Sequence, residues 1–185
     1  MTQRIDARLH SGIFRIDVDR ILSRSHAIRR QPAGHPDLPI GWPPSSTANY
    51  TVPNGNPFVK VDGSVLEEYY ALGFRQPYRF SRGPVTGAFW VGESGQSTRE
   101  EIDILQAGAN YGWAFREGTV AGPKAAPATV IGTLKEPPLG IWPGSGWLHH
   151  WRLCLSRNRA RERTDRQIHF RGQCLGPHLC GEGER

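Results

Sequence analysis

Short runs of this chain alternate between hydrophobic and polar positions, with the period of two that is typical of β-strands. Residues 13–19 read Ile-Phe-Arg-Ile-Asp-Val-Asp and predict a half-buried strand. Residues 88–92 are rich in strand formers and follow the turn Pro-Val-Thr-Gly at 84–87, which predicts a hairpin with the segment 79–82. Residues 100–105 predict a further short strand.

Segments rich in proline and glycine separate these runs. Residues 20–57 contain seven prolines and predict an extended surface loop, because proline is excluded from helix interiors and central strands. Residues 67–75 are apolar enough to approach a core, and residues 108–113 form a glycine-bracketed turn. Short strands with turns every ~8–12 residues predict an all-β fold of the sandwich, barrel or propeller type.

Composition favours a turn-rich globular chain over a helical bundle. Glycine (22) and proline (15) together make up one fifth of the 185 residues. No apolar run approaches the ~20 residues that a membrane-spanning helix needs. The first residues also lack the apolar stretch of a secretory signal, so we expect neither a membrane span nor a signal peptide in this chain.

The net charge of +6 is unevenly distributed, which divides the chain into two parts. Residues 1–147 hold 15 Lys/Arg and 13 Asp/Glu, whereas residues 148–185 hold 8 Arg and 4 Asp/Glu. All three cysteines and four of the seven histidines also lie in the second part. The body and the tail therefore need separate explanations.

Five short motifs follow one another in the body. They are YALGFRQPYRF at 70–80, PVTG at 84–87, WVGESGQ at 90–96, EEID at 100–103 and NYGW at 110–113. In this order and spacing, the series resembles the glucose/sorbosone dehydrogenase family, the soluble quinoprotein sugar dehydrogenases. The resemblance extends over roughly residues 9–118.

The resemblance implies a six-bladed β-propeller that binds pyrroloquinoline quinone (PQQ) with calcium. It implies oxidation of an aldose sugar at C1 to the lactone, with electrons passed to an acceptor, in a periplasmic or secreted parent protein. A four-stranded blade takes ~40–45 residues, so this chain would hold roughly three of six blades. We therefore predict an internal fragment whose residues 1–147 form a partial β-propeller domain, with no nucleic-acid partner.

The resemblance also places two residues at the cofactor. Arg75 lies where the family has a cofactor-facing arginine, and a guanidinium can fork onto one of the three carboxylates of PQQ. The alternative for Arg75 is an ion pair with an acid of a neighbouring blade. Gln76 stands where the family usually has asparagine, a departure that alters any short polar contact there.

Two calcium sites follow from the same resemblance. Gly95 and Gln96 match the loop whose backbone carbonyls hold the cofactor's calcium, which prefers oxygen ligands. Glu100, Glu101 and the carbonyl of Tyr111 match a second, structural calcium site. The alternatives are an ordinary turn between strands for the first set and a solvated acid pair for the second.

The family's general base is a histidine of an earlier blade, and nothing in this chain matches its surroundings. His10, His26 and His35 lie in predicted loop or terminal segments, so no catalytic residue is assigned. The resemblance therefore predicts a fragment of an aldose dehydrogenase that is inactive alone. The alternative is a non-catalytic propeller segment that acts as a binding scaffold, which would show no calcium-dependent PQQ binding.

Residues 148–185 have neither periodicity nor strand-forming composition. With one choice of codons, reading Leu148–Arg157 one nucleotide later gives Ser-Ile-Thr-Gly-Gly-Tyr-Val-Tyr-Arg, which resembles the next family strand. The segment 166–177 then gives Gly-Lys-Tyr-Ile-Phe-Ala-Asp-Asn-Val-Ser-Gly, which is also family-like. We therefore predict an aberrant, frameshifted tail that begins near Trp147, and the coding DNA tests this prediction.

Two other interpretations of the tail remain. Cys154, Cys174, His178 and Cys180 offer zinc-binding atoms, although their spacing contains no CxxC pair. The arginines favour binding to nucleic acid electrostatically, but no interleaved aromatic pattern accompanies them.

Overall fold

The computed structural model describes residues 3–30, 32 and 49–141, and this part of the chain is all β. It contains no helix and twelve short strands: β1 Gly12–Phe14, β2 Ser25–His26, β3 Val52–Pro53, β4 Tyr69–Leu72, β5 Pro77–Arg82, β6 Phe89–Glu93, β7 Glu100–Ile104, β8 Ala109–Asn110, β9 Arg116–Glu117, β10 Val120–Ala121, β11 Thr133–Leu134 and β12 Leu139–Ile141. The all-β prediction is thereby confirmed. In the described ranges, no helix is long and apolar enough to cross a membrane.

One four-stranded antiparallel sheet has the order β12-β7-β6-β5. The predicted hairpin is confirmed: β5 pairs with β6 across the turn at 84–87, with Phe80 opposite Val91. The predicted strand at 100–105 is confirmed as β7, where Asp103 lies opposite Val91 and Glu101 opposite Glu93. Opposed residues share a face, so this register places three acidic side chains on the same face as Val91.

A second four-stranded sheet has the order β1-β4-β8-β11 and is mixed. Its β1 strand ends at Phe14, short of the predicted strand at 13–19, where its register with β4 shifts. The Asp17 carboxylate accepts the N–H groups of Asp19 and Ile21. Beyond Phe14, the Arg15 N–H donates to the Glu68 carbonyl and Asp17 forms an isolated bridge with Thr51. The alternating pattern therefore overestimated the length of this strand.

The prediction of a continuous loop over 20–57 is wrong at both ends. Strands β2 and β3 pair antiparallel there, with Ser25 opposite Pro53 and His26 opposite Val52. A two-stranded pair leaves each strand with one free edge, and proline is compatible with an edge. Residues 31 and 33–48 lie outside the described residues, as does the whole predicted tail at 148–185.

Two apolar clusters form the core. One joins the two four-stranded sheets and consists of Ala71, Phe74, Val91, Ala109 and Tyr111. The other lies beneath the N-terminal segment and consists of Ile5, Leu66, Tyr69 and Leu72. Strand β4 contributes to both clusters: its adjacent residues Ala71 and Leu72 point to opposite faces, and Tyr69 joins Leu72 in the second cluster. The apolar segment 67–75 was expected near a core, and the structure confirms this.

The hydroxyl of Tyr69 ties the N-terminal segment to β4, and its removal should destabilise the fold. The side chain is fully buried, and its oxygen lies 2.6 Å from the Arg8 carbonyl and 3.0 Å from the His10 N–H that it accepts. We expect Tyr69→Phe to lower the free energy of unfolding by about 1–3 kcal/mol, because it leaves polar groups unpaired. Urea denaturation measures this loss. The exposed Tyr78→Phe is the control, and equal midpoints for the two variants would contradict the prediction.

Candidate functional site

The candidate site forms where the end of β4 meets the loop between β6 and β7. Glu93, the last residue of β6, fastens the two segments together. Its Oε1 atom accepts the backbone N–H of Arg75 at 2.6 Å and that of Gln76 at 2.7 Å. Both residues that the family resemblance placed at a cofactor are thus held next to the loop that it placed at calcium.

The side chain of Arg75 reaches across to that loop. Its Nη1 atom donates to the carbonyl of Gly95 at 2.9 Å and more weakly to that of Ser94 at 3.3 Å. The guanidinium also lies 5.6 Å from the centre of the Trp113 ring, within the range of a cation–π contact. Arg75 is exposed, so its remaining N–H groups face solvent.

The inner side of the loop is lined by two carboxylates. Glu100 Oε2 accepts the N–H of Gly95 at 3.0 Å. A single oxygen of Glu117, Oε1, accepts the next four N–H groups, at 2.7, 2.8, 2.8 and 3.2 Å; these belong to Gln96, Ser97, Thr98 and Arg99. Consecutive N–H groups that converge on one anion form a backbone nest.

The nest determines where the carbonyls of the loop point. In a planar trans peptide, the C=O group is antiparallel to the N–H of the following residue. Because the N–H groups of Gln96 and Ser97 face Glu117, the carbonyls of Gly95 and Gln96 face away from it. We call these outward carbonyls the carbonyl rim. Arg75 lies at the rim, as its bond to Gly95 shows.

The loop has no room for a side chain at position 95, so only glycine fits there. A Cβ atom added there would lie 1.6 Å from the carbonyl oxygen of Arg99 and 2.7 Å from Glu117 Oε1. The first distance involves backbone and is far below van der Waals contact. The tight closure of the loop around Glu117 therefore depends on the absence of a side chain at position 95.

The donor atoms of this region fit the groups that the resemblance implies. Outward backbone carbonyls are oxygen ligands of the kind calcium takes, and an exposed guanidinium suits a carboxylate-bearing ligand. Arg75 and a bound cation would share the Gly95 carbonyl, whose oxygen has two lone pairs. An anionic ligand between the two cations would reduce their repulsion.

The side chains of the second predicted calcium set each bind a different part of the backbone. Glu100 binds the Gly95 N–H, whereas Glu101 accepts the N–H of Gly118. The phenol of Tyr111 lies in the core and donates to the Ile104 carbonyl at 2.6 Å. Within the described ranges, no group of three or more His, Cys, Asp or Glu side chains is arranged to hold a metal. The role of the Tyr111 carbonyl stays a prediction.

Three buried acids share the face of the sheet behind the site. Burial raises the pKa of Glu93 to about 8, although the N–H groups of Gln76 and Arg75 oppose this. Burial likewise raises the pKa of Asp103 to about 8, with a further contribution from the charge of Glu101. For Glu101, burial raises the pKa to about 7 despite the bond from Gly118.

Glu117 differs from these acids. Its burial alone would raise the pKa, but hydrogen bonds from Thr98, Ser97 and Arg99 outweigh it and lower the pKa to about 2. Sequence reasoning overlooked Glu93 and Glu117. Both act on partners 17–21 residues away, and no local pattern marks such contacts.

The histidines of the described segments are engaged elsewhere. His26 lies 2.8 Å from Asn54 Oδ1 and 2.9 Å from Glu67 Oε2. The backbone N–H of His10 donates to Tyr69. Neither residue was assigned a catalytic role from the sequence, and His35 lies outside the described residues.

A comparison with protein-family models gives a match to glucose/sorbosone dehydrogenase over residues 25–139. The chain belongs to the glucose/sorbosone dehydrogenase family. The match includes the rim, Arg75 and Glu117, and it confirms the resemblance inferred from the five motifs. The all-β architecture with four-stranded sheets agrees with the partial propeller predicted for a family member.

Curated relatives in this family are much longer than the matched segment. The HIPL1 protein of Arabidopsis thaliana is 31% identical over 139 residues, which cover 74% of this chain and 18% of the relative. The aldose sugar dehydrogenase YliI of Escherichia coli is 34% identical over 99 residues, which cover 51% of this chain and 26% of the relative. The chain thus spans about a fifth to a quarter of the length of these two relatives.

Solved structures of the family also match. The apo crystal structure of the soluble aldose sugar dehydrogenase from Escherichia coli is 34% identical in sequence, with a TM-score of 0.40. The matched region covers 49% of this chain and 27% of the chain in that structure. A glucose dehydrogenase structure is 32% identical in sequence, with a TM-score of 0.42. The matched region covers 52% of this chain and 27% of the chain in that structure.

Proposed function

We propose that this chain is part of an aldose sugar dehydrogenase that uses PQQ and calcium to oxidise the sugar at C1 to the lactone. The observation that carries this proposal is the contact between Arg75 and the carbonyl rim. It combines a carboxylate-binding cation with outward oxygen ligands in a chain of a sugar dehydrogenase family. The partners in this proposal are an aldose and an electron acceptor, in a periplasmic or secreted parent protein.

Different residues of the chain would bind different parts of the cofactor. Arg75 would bind a carboxylate of the quinone through its solvent-facing N–H groups, while Glu93 fixes the backbone that carries it. The carbonyls of Gly95 and Gln96 would take the calcium ion. Bound there, the quinone would supply a hydride acceptor and the calcium ion a Lewis acid, which is chemistry that protein side chains do not supply.

The chain would contribute the cofactor side of an active site rather than its base. General base catalysis needs a proton acceptor within hydrogen-bond reach of the sugar hydroxyl. We propose that another part of the parent protein supplies it, so that this chain alone binds the cofactor without turnover.

Titration of the full 185-residue chain with PQQ, with and without calcium, tests this function. We expect a calcium-dependent change in the absorbance of the quinone and no reduction of a dye in the presence of aldose. Absence of PQQ binding at all calcium concentrations would overturn the proposal and favour a binding scaffold. Dye reduction by the chain alone would contradict the assignment of the base to another segment.

Arg75→Lys should weaken the binding of PQQ by about ten-fold or more. A lysine ammonium keeps the charge but loses the planar fork that matches a carboxylate. Equilibrium dialysis of PQQ at saturating calcium measures the change. Arg82→Lys is the matched control, because Arg82 is exposed at the end of β5 and donates to the Gly87 carbonyl in the hairpin turn. Equal losses in both variants would contradict a specific role for Arg75.

A further inference from the structure

We infer that Glu117 is a positioning residue that holds the carbonyl rim open for a cation, an inference that rests on the proposed function of the rim. Glu117 touches neither Arg75 nor the outward face of the loop in the contacts of the described residues. It acts from the opposite side, through the N–H groups of residues 96–99.

The geometry of the loop around Glu117 supports this role. Four successive peptide N–H groups lie within 3.2 Å of one oxygen atom, and Glu100 takes the N–H that precedes them. Each of these peptides is rigid, so orienting its N–H inward also orients its carbonyl outward. Without the inner anion, each peptide would be free to rotate, and its carbonyl would leave the rim.

The charge of Glu117 acts in the same direction. Glu117 is only 4% exposed, and a buried carboxylate is costly unless hydrogen bonds compensate it. Four N–H donors supply this compensation, and hydrogen bonds to an ionised acceptor are about twice as strong as neutral ones. The same peptide dipoles place their negative ends at the rim, where a cation binds. The inner anion and an outer cation therefore favour one and the same loop conformation.

The neighbours of Glu117 also fix its position. Gly95 leaves no room for a side chain beside Glu117 Oε1, as the 2.7 Å approach of an added Cβ shows. The backbone of the next residue, Gly118, is held by Glu101 on β7. Glu117 is thus fixed by the fold before any ligand arrives, which is what preorganisation of a site requires.

Two measurements on the full chain test the inference. Amide hydrogen exchange of residues 96–99, recorded in chelator without calcium, reports the loop itself. Isothermal titration with Ca²⁺ reports the rim. For Glu117→Gln, which keeps an oxygen acceptor but removes the charge, we expect exchange at these amides to rise about ten-fold and the calcium Kd to rise by a similar factor.

Two further variants make the outcome decisive. Glu136→Gln removes the same charge from an exposed partner of Arg116 and should change neither readout. Glu117→Asp keeps the charge on a shorter side chain and should restore part of the calcium affinity lost in Glu117→Gln. Unchanged exchange at residues 96–99 in Glu117→Gln would overturn the inference. If wild-type chain binds no calcium while exchange rises in Glu117→Gln, the positioning of the loop stands and the proposed function of the rim fails.

Discussion

Asp103→Asn should make the protein more stable at pH 8, by about 2 kcal/mol or more. Asp103 is fully buried, and neither of its carboxylate oxygens has a hydrogen-bond partner among the described residues. An ionised carboxylate in this position loses its hydration without compensation. Asparagine has the same shape and no charge, and the cost of burying a neutral amide is about 1–3 kcal/mol, less than that of the charge.

The direction of the pH dependence follows from the raised pKa. Burial raises the pKa of Asp103 to about 8 in the folded state, well above the value of about 4 for an exposed aspartate. Between these two values the folded protein binds more protons than the unfolded chain, so stability falls as the pH rises through this window. Glu93 and Glu101 act in the same direction, since burial raises the pKa of each.

Urea denaturation at pH 5 and pH 8 in chelator measures this effect without any contribution from divalent ions. Asp103→Asn should be close to wild type at pH 5, where the wild-type carboxyl is protonated, and clearly more stable at pH 8. Asp62→Asn is the control, because Asp62 is an exposed aspartate that accepts the Ser64 N–H. If Asp103→Asn is less stable than wild type at pH 8, the carboxylate is compensated by contacts that the structure does not contain.

The elements that could be predicted from the sequence are those encoded by residues close together along the chain. The β5–β6 hairpin is an example, since alternation and a Pro-Val-Thr-Gly turn encode it within 17 residues. Strand β1 shows the limit of such patterns. Alternation continued to residue 19, but β1 ends at Phe14, and the Asp17 carboxylate accepts the N–H groups of Asp19 and Ile21 in a turn. A local side chain bond of this kind competes with pairing and leaves no trace in hydrophobic periodicity.

The candidate site was predictable only in part, and by resemblance. The family motifs brought Arg75 and Gly95 to attention, and the structure places them 2.9 Å apart, from guanidinium to carbonyl. The inner side of the same loop was not predictable. Glu117 meets the loop only because β7 and the segment 109–117 fold back behind it, and no spacing rule connects position 117 with positions 96–99. Contacts that define the loop conformation thus require the tertiary structure.

Gly95→Ala should have the largest effect of any single methyl group in this site. The added Cβ would lie 1.6 Å from the Arg99 carbonyl oxygen, so backbone must move. Overpacking of a tight site costs about 1–3 kcal/mol or more, and here the movement also separates the N–H groups of the loop from Glu117. We expect a loss of about 3 kcal/mol in the free energy of unfolding and loss of measurable calcium binding.

Gly92→Ala provides a matched control three residues earlier in the chain. The nearest atom to a Cβ at Gly92 is the carbonyl oxygen of Arg79 at 3.7 Å, an ordinary contact, and alanine suits a strand better than glycine. Urea denaturation and calcium titration of both variants should therefore separate them clearly. Equal behaviour of the two would show that the loop at 95–99 has room to relax around a side chain. In that case, the tight closure on Glu117 would not be what keeps the carbonyls of Gly95 and Gln96 turned outward.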